Sequence, residues 1–202
     1  IPIMGGAPVV ICDFFDSPLG VSWDSDGTIV FGDVGGVYRV PATGGTPELV
    51  IQAEEGEIFY GPSLLPDADS LLFSVSPTPP RWDQGDIVVQ SLSTGERTTL
   101  LTAGNDARYL PTGHIVYAYE DGLFGIAFDL DTLSVSGAPV PLVRGVLRAI
   151  GSAAANSGVS DDGTLVYMTG SAPQATNTLV WVDRNGREEP FGVSSRGFGN
   201  PR

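Results

Sequence analysis

The sequence contains no lysine. All ten of its basic residues are arginine, set against 24 carboxylates, for a net charge of −14. Such a field repels polyanions and anionic membrane surfaces, which excludes nucleic acid as the expected partner. Cys12 is the one cysteine, so no intramolecular disulfide and no cysteine-based metal cluster is available. His114 is the one histidine, and no Gly-x-Ser-x-Gly elbow accompanies it, so a Ser–His–Asp arrangement is not expected. Phosphate-binding and dinucleotide-binding glycine loops are also missing, and nothing calls for a cofactor. No apolar run approaches the roughly 18 residues needed to cross a bilayer, so no membrane insertion is expected within this chain.

What the chain has is glycine and proline. Its 27 glycines and 16 prolines are dispersed between short apolar runs, and 42% of the 202 residues are hydrophobic. That distribution belongs to a folded protein of many short strands and many turns. A turn leading into an apolar run occurs four times, at Ser25-Asp26-Gly27-Thr28-Ile29-Val30-Phe31, Asp67-Ala68-Asp69-Ser70-Leu71-Leu72-Phe73, Thr112-Gly113-His114-Ile115-Val116-Tyr117 and Asp162-Gly163-Thr164-Leu165-Val166-Tyr167. Measured at the closing aromatic residue, the steps are 42, 44 and 50 residues. A second element interleaves with the first: apolar runs at 37–40, 87–89, 123–126 and 179–182 each lead into a glycine turn and then another short strand.

Four strands in each period of this length define a β-propeller blade. The expected architecture is an all-β propeller of four-stranded antiparallel blades, about four complete and a fifth split between the ends. The blades fall at about 16–53, 54–102, 103–144 and 145–190, with partial blade strands at 1–12 and 196–202. The two ends are expected to approach each other without completing a blade, leaving an open edge. Phe31, Val166, Tyr167 and Trp181 occupy matching positions in the apolar runs and are expected between blades.

In such a meander the Asp-Gly and glycine turns share one face. The longer connections 53–60, 76–86, 145–153 and 168–178 project from the other. Variable loops on a rigid scaffold are where binding usually sits. The candidate binding residues are therefore Glu55, Phe59, Tyr60, Arg81, Trp82 and Arg148, a mixture of aromatic and charged groups suited to a contact surface. Trp82 has an alternative role, folding back to cover a blade edge. Asp26, Asp67 and Asp162 read as turn residues whose side chains cap their own backbone, and His114 as a turn or strand-end residue. A rival reading is a metal-dependent hydrolase or lyase using Glu55, Glu57 or Asp106 in the propeller channel. A third is the propeller of an oligopeptidase-like protein whose catalytic domain lies outside this chain.

The blade motifs also carry a resemblance. Val37-Tyr38-Arg39-Val40-Pro41, leading to Gly44-Gly45-Thr46-Pro47, resembles TolB-type, WD-repeat-like propeller repeats. Phe128-Asp129, Gly137-Ala138-Pro139-Val140-Pro141, Ser160-Asp161-Asp162-Gly163-Thr164-Leu165-Val166-Tyr167 and Leu179-Val180-Trp181-Val182-Asp183-Arg184-Asn185-Gly186-Arg187-Glu188 together resemble the propeller that follows a serine/threonine kinase domain in many bacterial proteins. The resemblance implies a non-enzymatic module that senses a small ligand or binds a protein or peptide. It implies an extracytoplasmic, periplasmic setting and attachment to a larger chain. It also implies more blades than this sequence holds. The kinase's own motifs are absent here.

Overall fold

Aspartate and glycine turns divide the chain into short strands whose side chains alternate between two faces. The computed structural model describes residues 7–13, 18–24, 26–170, 180–182, 187–190 and 192. Four strands, β1 (Val21–Trp23), β2 (Thr28–Asp33), β3 (Gly36–Pro41) and β4 (Glu48–Gln52), form the first sheet. The second comprises β5 (Glu57–Leu64), β6 (Ser70–Pro77), β7 (Asp86–Ser91) and β8 (Arg97–Leu101). The third comprises β9 (Asn105–Leu110), β10 (His114–Tyr119), β11 (Gly122–Asp129) and β12 (Ser134–Arg144). Each is an antiparallel meander in sequence order.

The next repeat appears as two antiparallel pairs, β13 (Ser157–Val159) with β14 (Leu165–Tyr167) and β15 (Val180–Val182) with β16 (Glu188–Pro190). The fold is thus the expected β-propeller. Among the described residues the only helical segment is a single 3₁₀ turn, Trp82–Gln84. Of the terminal strands expected at 1–12 and 196–202, residues 7–12 are described and form no strand, although the Ile11 carbonyl accepts the Gly45 amide at 3.1 Å; residues 1–6 and 196–202, and the approach of the two ends, lie outside the described residues.

Alternation along the strands builds the core between sheets. Val30, Val37 and Ile51 of the first sheet meet Phe59, Leu71, Phe73 and Val88 of the second. Ile87 and Val89, flanking Val88, point the other way and join Ile115, Tyr117 and Ile126 of the third. Val116 and Ala118 of the third sheet in turn face Val159 and Leu165 in the following repeat.

Two of the expected inter-blade residues lie elsewhere. Val166 and Tyr167 are 69% and 40% exposed. For Val166 the reason is geometric: Leu165 takes the packed face of the short strand, and no described sheet covers the opposite one; Tyr167 shares the side of Leu165 but ends the strand outside the packed cluster. Phe31 is buried as expected, beside Ile11 and Cys12 on the outer side of the first sheet. Strand β15 contains Trp181, whose side chain lies outside the described residues.

Inner strands approach one another through backbone. The ladder of β5 breaks between Tyr60 and Ser63, and the freed Gly61 amide donates to the Leu19 carbonyl at 2.8 Å. Gly20 opposite has φ +84°, and a Cβ there would stand 2.5 Å from the Gly61 Cα. Only glycine permits both the left-handed backbone and the close approach.

Candidate functional site

Different residues gather at the two ends of the inner strands β1, β5 and β9. At the end where β5 and β9 begin lies a small hairpin, residues 148–155. It is closed by an Arg148–Ala155 bridge and by the Ala149 amide donating to the Ala154 carbonyl at 2.8 Å. Its tip reaches across to two blades. Trp82, in its 3₁₀ turn, donates its indole N–H to the Gly151 carbonyl at 2.9 Å. Asn105, at the start of β9, donates its side-chain amide to the Ser152 carbonyl at 2.7 Å. The Asp106 carboxylate accepts from the Ala155 amide at 3.2 Å, while Arg148 donates to the Ala153 and Glu120 carbonyls. The loop 76–86 and the hairpin 148–155, distant in sequence, are thereby latched into one unit.

The sequence-derived site residues occupy different layers of this unit. Trp82 is only 4% exposed and packs edge-on to Tyr60, with ring centroids 5.4 Å apart. It therefore covers the blade junction, the alternative role given to it by the sequence. Phe59 is fully buried against Phe73, and Arg97 stands 5.1 Å over its ring, so it is core and no surface anchor. Arg148 is 8% exposed and holds the hairpin from inside. Tyr60 is half-buried; burial pushes its phenol above the ordinary range and the Asp106 carboxylate adds to this, against a hydrogen bond with the Ser152 side chain. Glu55 and Arg81 are exposed, the latter anchored by its backbone amide on the Ser76 hydroxyl at 2.7 Å. Ile150, at 77% exposure, stands at the hairpin tip.

The carboxylates of the rival metal reading do not converge. Glu57 pairs with Arg97 at 2.9 Å, Asp106 with Arg108 at 3.4 Å, and Glu55 is solvent-exposed. Among the described residues no three His, Cys, Asp or Glu side chains are grouped to hold a metal ion. The turn aspartates act as the sequence suggested: Asp26 accepts the Thr28 amide at 2.7 Å, Asp67 the Ser70 amide at 2.9 Å and Asp162 the Thr164 amide at 3.0 Å. His114 is likewise an exposed strand-end residue, its Nδ1 3.0 Å from the Thr112 carbonyl.

At the opposite end, where β5 and β9 finish, Ser22, Asp24, Ser63, Arg108, Tyr109 and Asp161 line a cavity of about 300 Å³. Sequence reading did not single out Ser22, Asp24, Ser63 or Arg108. Their juxtaposition depends on four different repeats, and no local spacing announces it.

The fold is that of a β-propeller, a fold also seen in TolB. Solved structures with this fold include TolB from Acinetobacter baumannii, at 18% identity and TM-score 0.54, covering 90% of this chain and 56% of that one. A putative TolB from Agrobacterium tumefaciens gives 18% identity and TM-score 0.54, covering 88% and 66%. The calcium-binding protein regucalcin from the same species gives 13% and 0.53, covering 89% and 59%. At these identities the likeness is one of fold, and the chain spans less than two thirds of the length of each. No family model and no curated protein matches the sequence.

Proposed function

We propose that this chain is a non-enzymatic propeller scaffold that engages a protein or peptide partner through its long-loop face. The observation that carries this reading is the latch. Trp82 and Arg148 are buried to fix two loops against each other, which holds the exposed Arg81 and Ile150 side chains on a rigid base. Preordering a surface in this way lowers the entropy lost on binding. The separate ion pairs of Glu57 and Asp106, with Glu55 exposed to solvent, support the non-enzymatic reading over a hydrolase or lyase in a propeller channel. Net charge of −14 favours a partner other than nucleic acid. The motif resemblance extends the proposal: the scaffold is a sensing or interaction module of a larger, kinase-associated bacterial protein, on its extracytoplasmic side.

The test is a peptide library displayed on phage and selected on the whole chain. Selected peptides should bind the wild type and lose affinity for an Arg81→Glu, Ile150→Ser double variant that melts at the same temperature. Equal affinity for both proteins would overturn the assignment of this face.

A further inference from the structure

The second cavity holds a pattern that the loop face does not explain. Among the described residues, three of its side-chain oxygens, Ser22 Oγ, Asp24 Oδ2 and Ser63 Oγ, are buried without a hydrogen-bond partner, and the Asp24 carboxyl has beside it the Leu64 backbone. An unpaired buried polar group is costly, and more so when charged, so three along one cavity point to an occupant. The arginine on the cavity wall does not neutralise them. Arg108 turns its guanidinium to the Gly61 carbonyl at 2.9 Å and to Asp106 at 3.4 Å. Asp26, the nearest acidic neighbour in sequence, is bound to its own turn through Thr28, and Asp161 lies exposed. The Asp24 oxygen requires a donor, the two serine hydroxyls can take either role, and a cationic donor matches the two carboxylates.

Shape narrows the choice. The volume of about 300 Å³ is far more than a bare ion fills, and Leu64, Pro66 and Pro111 give part of the wall an apolar surface. A primary ammonium group has three N–H donors, one for each orphaned oxygen, and an alkyl stem to lie against the leucine and prolines. The chain has no lysine to supply one from its own side chains.

We propose that this cavity is a second binding site, separate from the loop face, for a primary alkylammonium group carried by a lysine side chain or a free N-terminus of another molecule. Asp24 makes the ion pair, and Ser22 and Ser63 take the remaining donors.

The test is a titration of the full chain, followed by amide chemical shifts and by calorimetry. One arm uses Nα-acetyl-lysine amide and the other a lysine-free dipeptide amide with a free α-amine. Nα-acetyl-norleucine amide, which keeps the stem and lacks the charge, is the control. Saturable binding of at least one amine, with shifts at Ser22, Ser63 and Tyr109 and none from norleucine, is the expected result, and the arm that binds identifies the source. Asp24→Asn should weaken binding about tenfold or more, the loss of one charge-assisted contact. A circular-dichroism melt checks that this variant is folded, and Glu96→Gln should leave amine binding unchanged. Failure of both amines to saturate, equal binding of norleucine, or full affinity in a folded Asp24→Asn protein would each overturn the site.

Discussion

Trp82 is a large indole whose one polar atom has one partner, and the two contributions can be separated by substitution. Trp82→Phe keeps most of the packing on Tyr60 and loses the hydrogen bond to Gly151, at about 1 kcal/mol. Trp82→Ala also empties the space and should cost about 3–5 kcal/mol in urea denaturation. A loss below about 1 kcal/mol for the alanine variant would mean that the residue does not hold the blade junction. Asp24 behaves in the opposite sense. Burial, with Asp26 adding to it, raises its carboxyl above the ordinary value in the folded protein. The folded state therefore binds more protons than the unfolded one through the carboxylate range, and this residue's contribution to stability falls as pH rises there. Asp24→Asn should remove that decline, so its stabilising effect should be larger at neutral pH than at pH below the carboxylate range. Denaturation at the two pH values measures the difference; an equal effect at both would contradict it. Asp69 and Asp162, held by hydroxyl donors from Ser91 and Ser160, shift downward and give the opposite slope.

At the scale of elements, the hairpin 148–155 has little core of its own and is held by hydrogen bonds to its neighbours. Arg148 fixes both its ends, to Ala153 within and to Glu120 outside. Arg148→Met retains bulk and removes those donors. The Ala149, Ala153 and Asn156 amides, which are hydrogen-bonded within or beside the hairpin, should then exchange hydrogen faster, with the amides of the first sheet unchanged. Uniform acceleration across the chain would instead point to global destabilisation. The strands themselves were legible because their signals are local: aspartate at a turn, glycine at positive φ, apolar residues at every second position. Val30 and Phe31 sort to opposite faces on that period alone. The latch was not legible. Trp82 and Gly151 are separated by 69 positions, and the acceptor is a backbone carbonyl, which any residue could supply. Phe59 misled for a related reason: it lies near a loop in sequence, yet the strand alternation turns it into the core beside Phe73. Val166 misled because burial needs a covering sheet as well as the right period.

Across the whole molecule, 24 carboxylates oppose ten guanidiniums, and most of the resolved ion pairs are solvent-exposed, such as Arg39 with Glu48 and Arg144 with Asp121. Exposed pairs contribute little, so repulsion among the surplus acids governs the long-range electrostatics. Raising sodium chloride from about 0.01 M to 0.5 M shortens the screening length severalfold and should raise the urea midpoint. A lower midpoint at high salt would show that the arginine pairs outweigh the repulsion. The latched hairpin has a further consequence. Because Trp82, from the second sheet's loop, and Asn105, from the third sheet, donate to neighbouring carbonyls at its tip, the three segments share one fate: a force that lifts residues 148–155 also uncovers Tyr60 and releases the 76–86 loop.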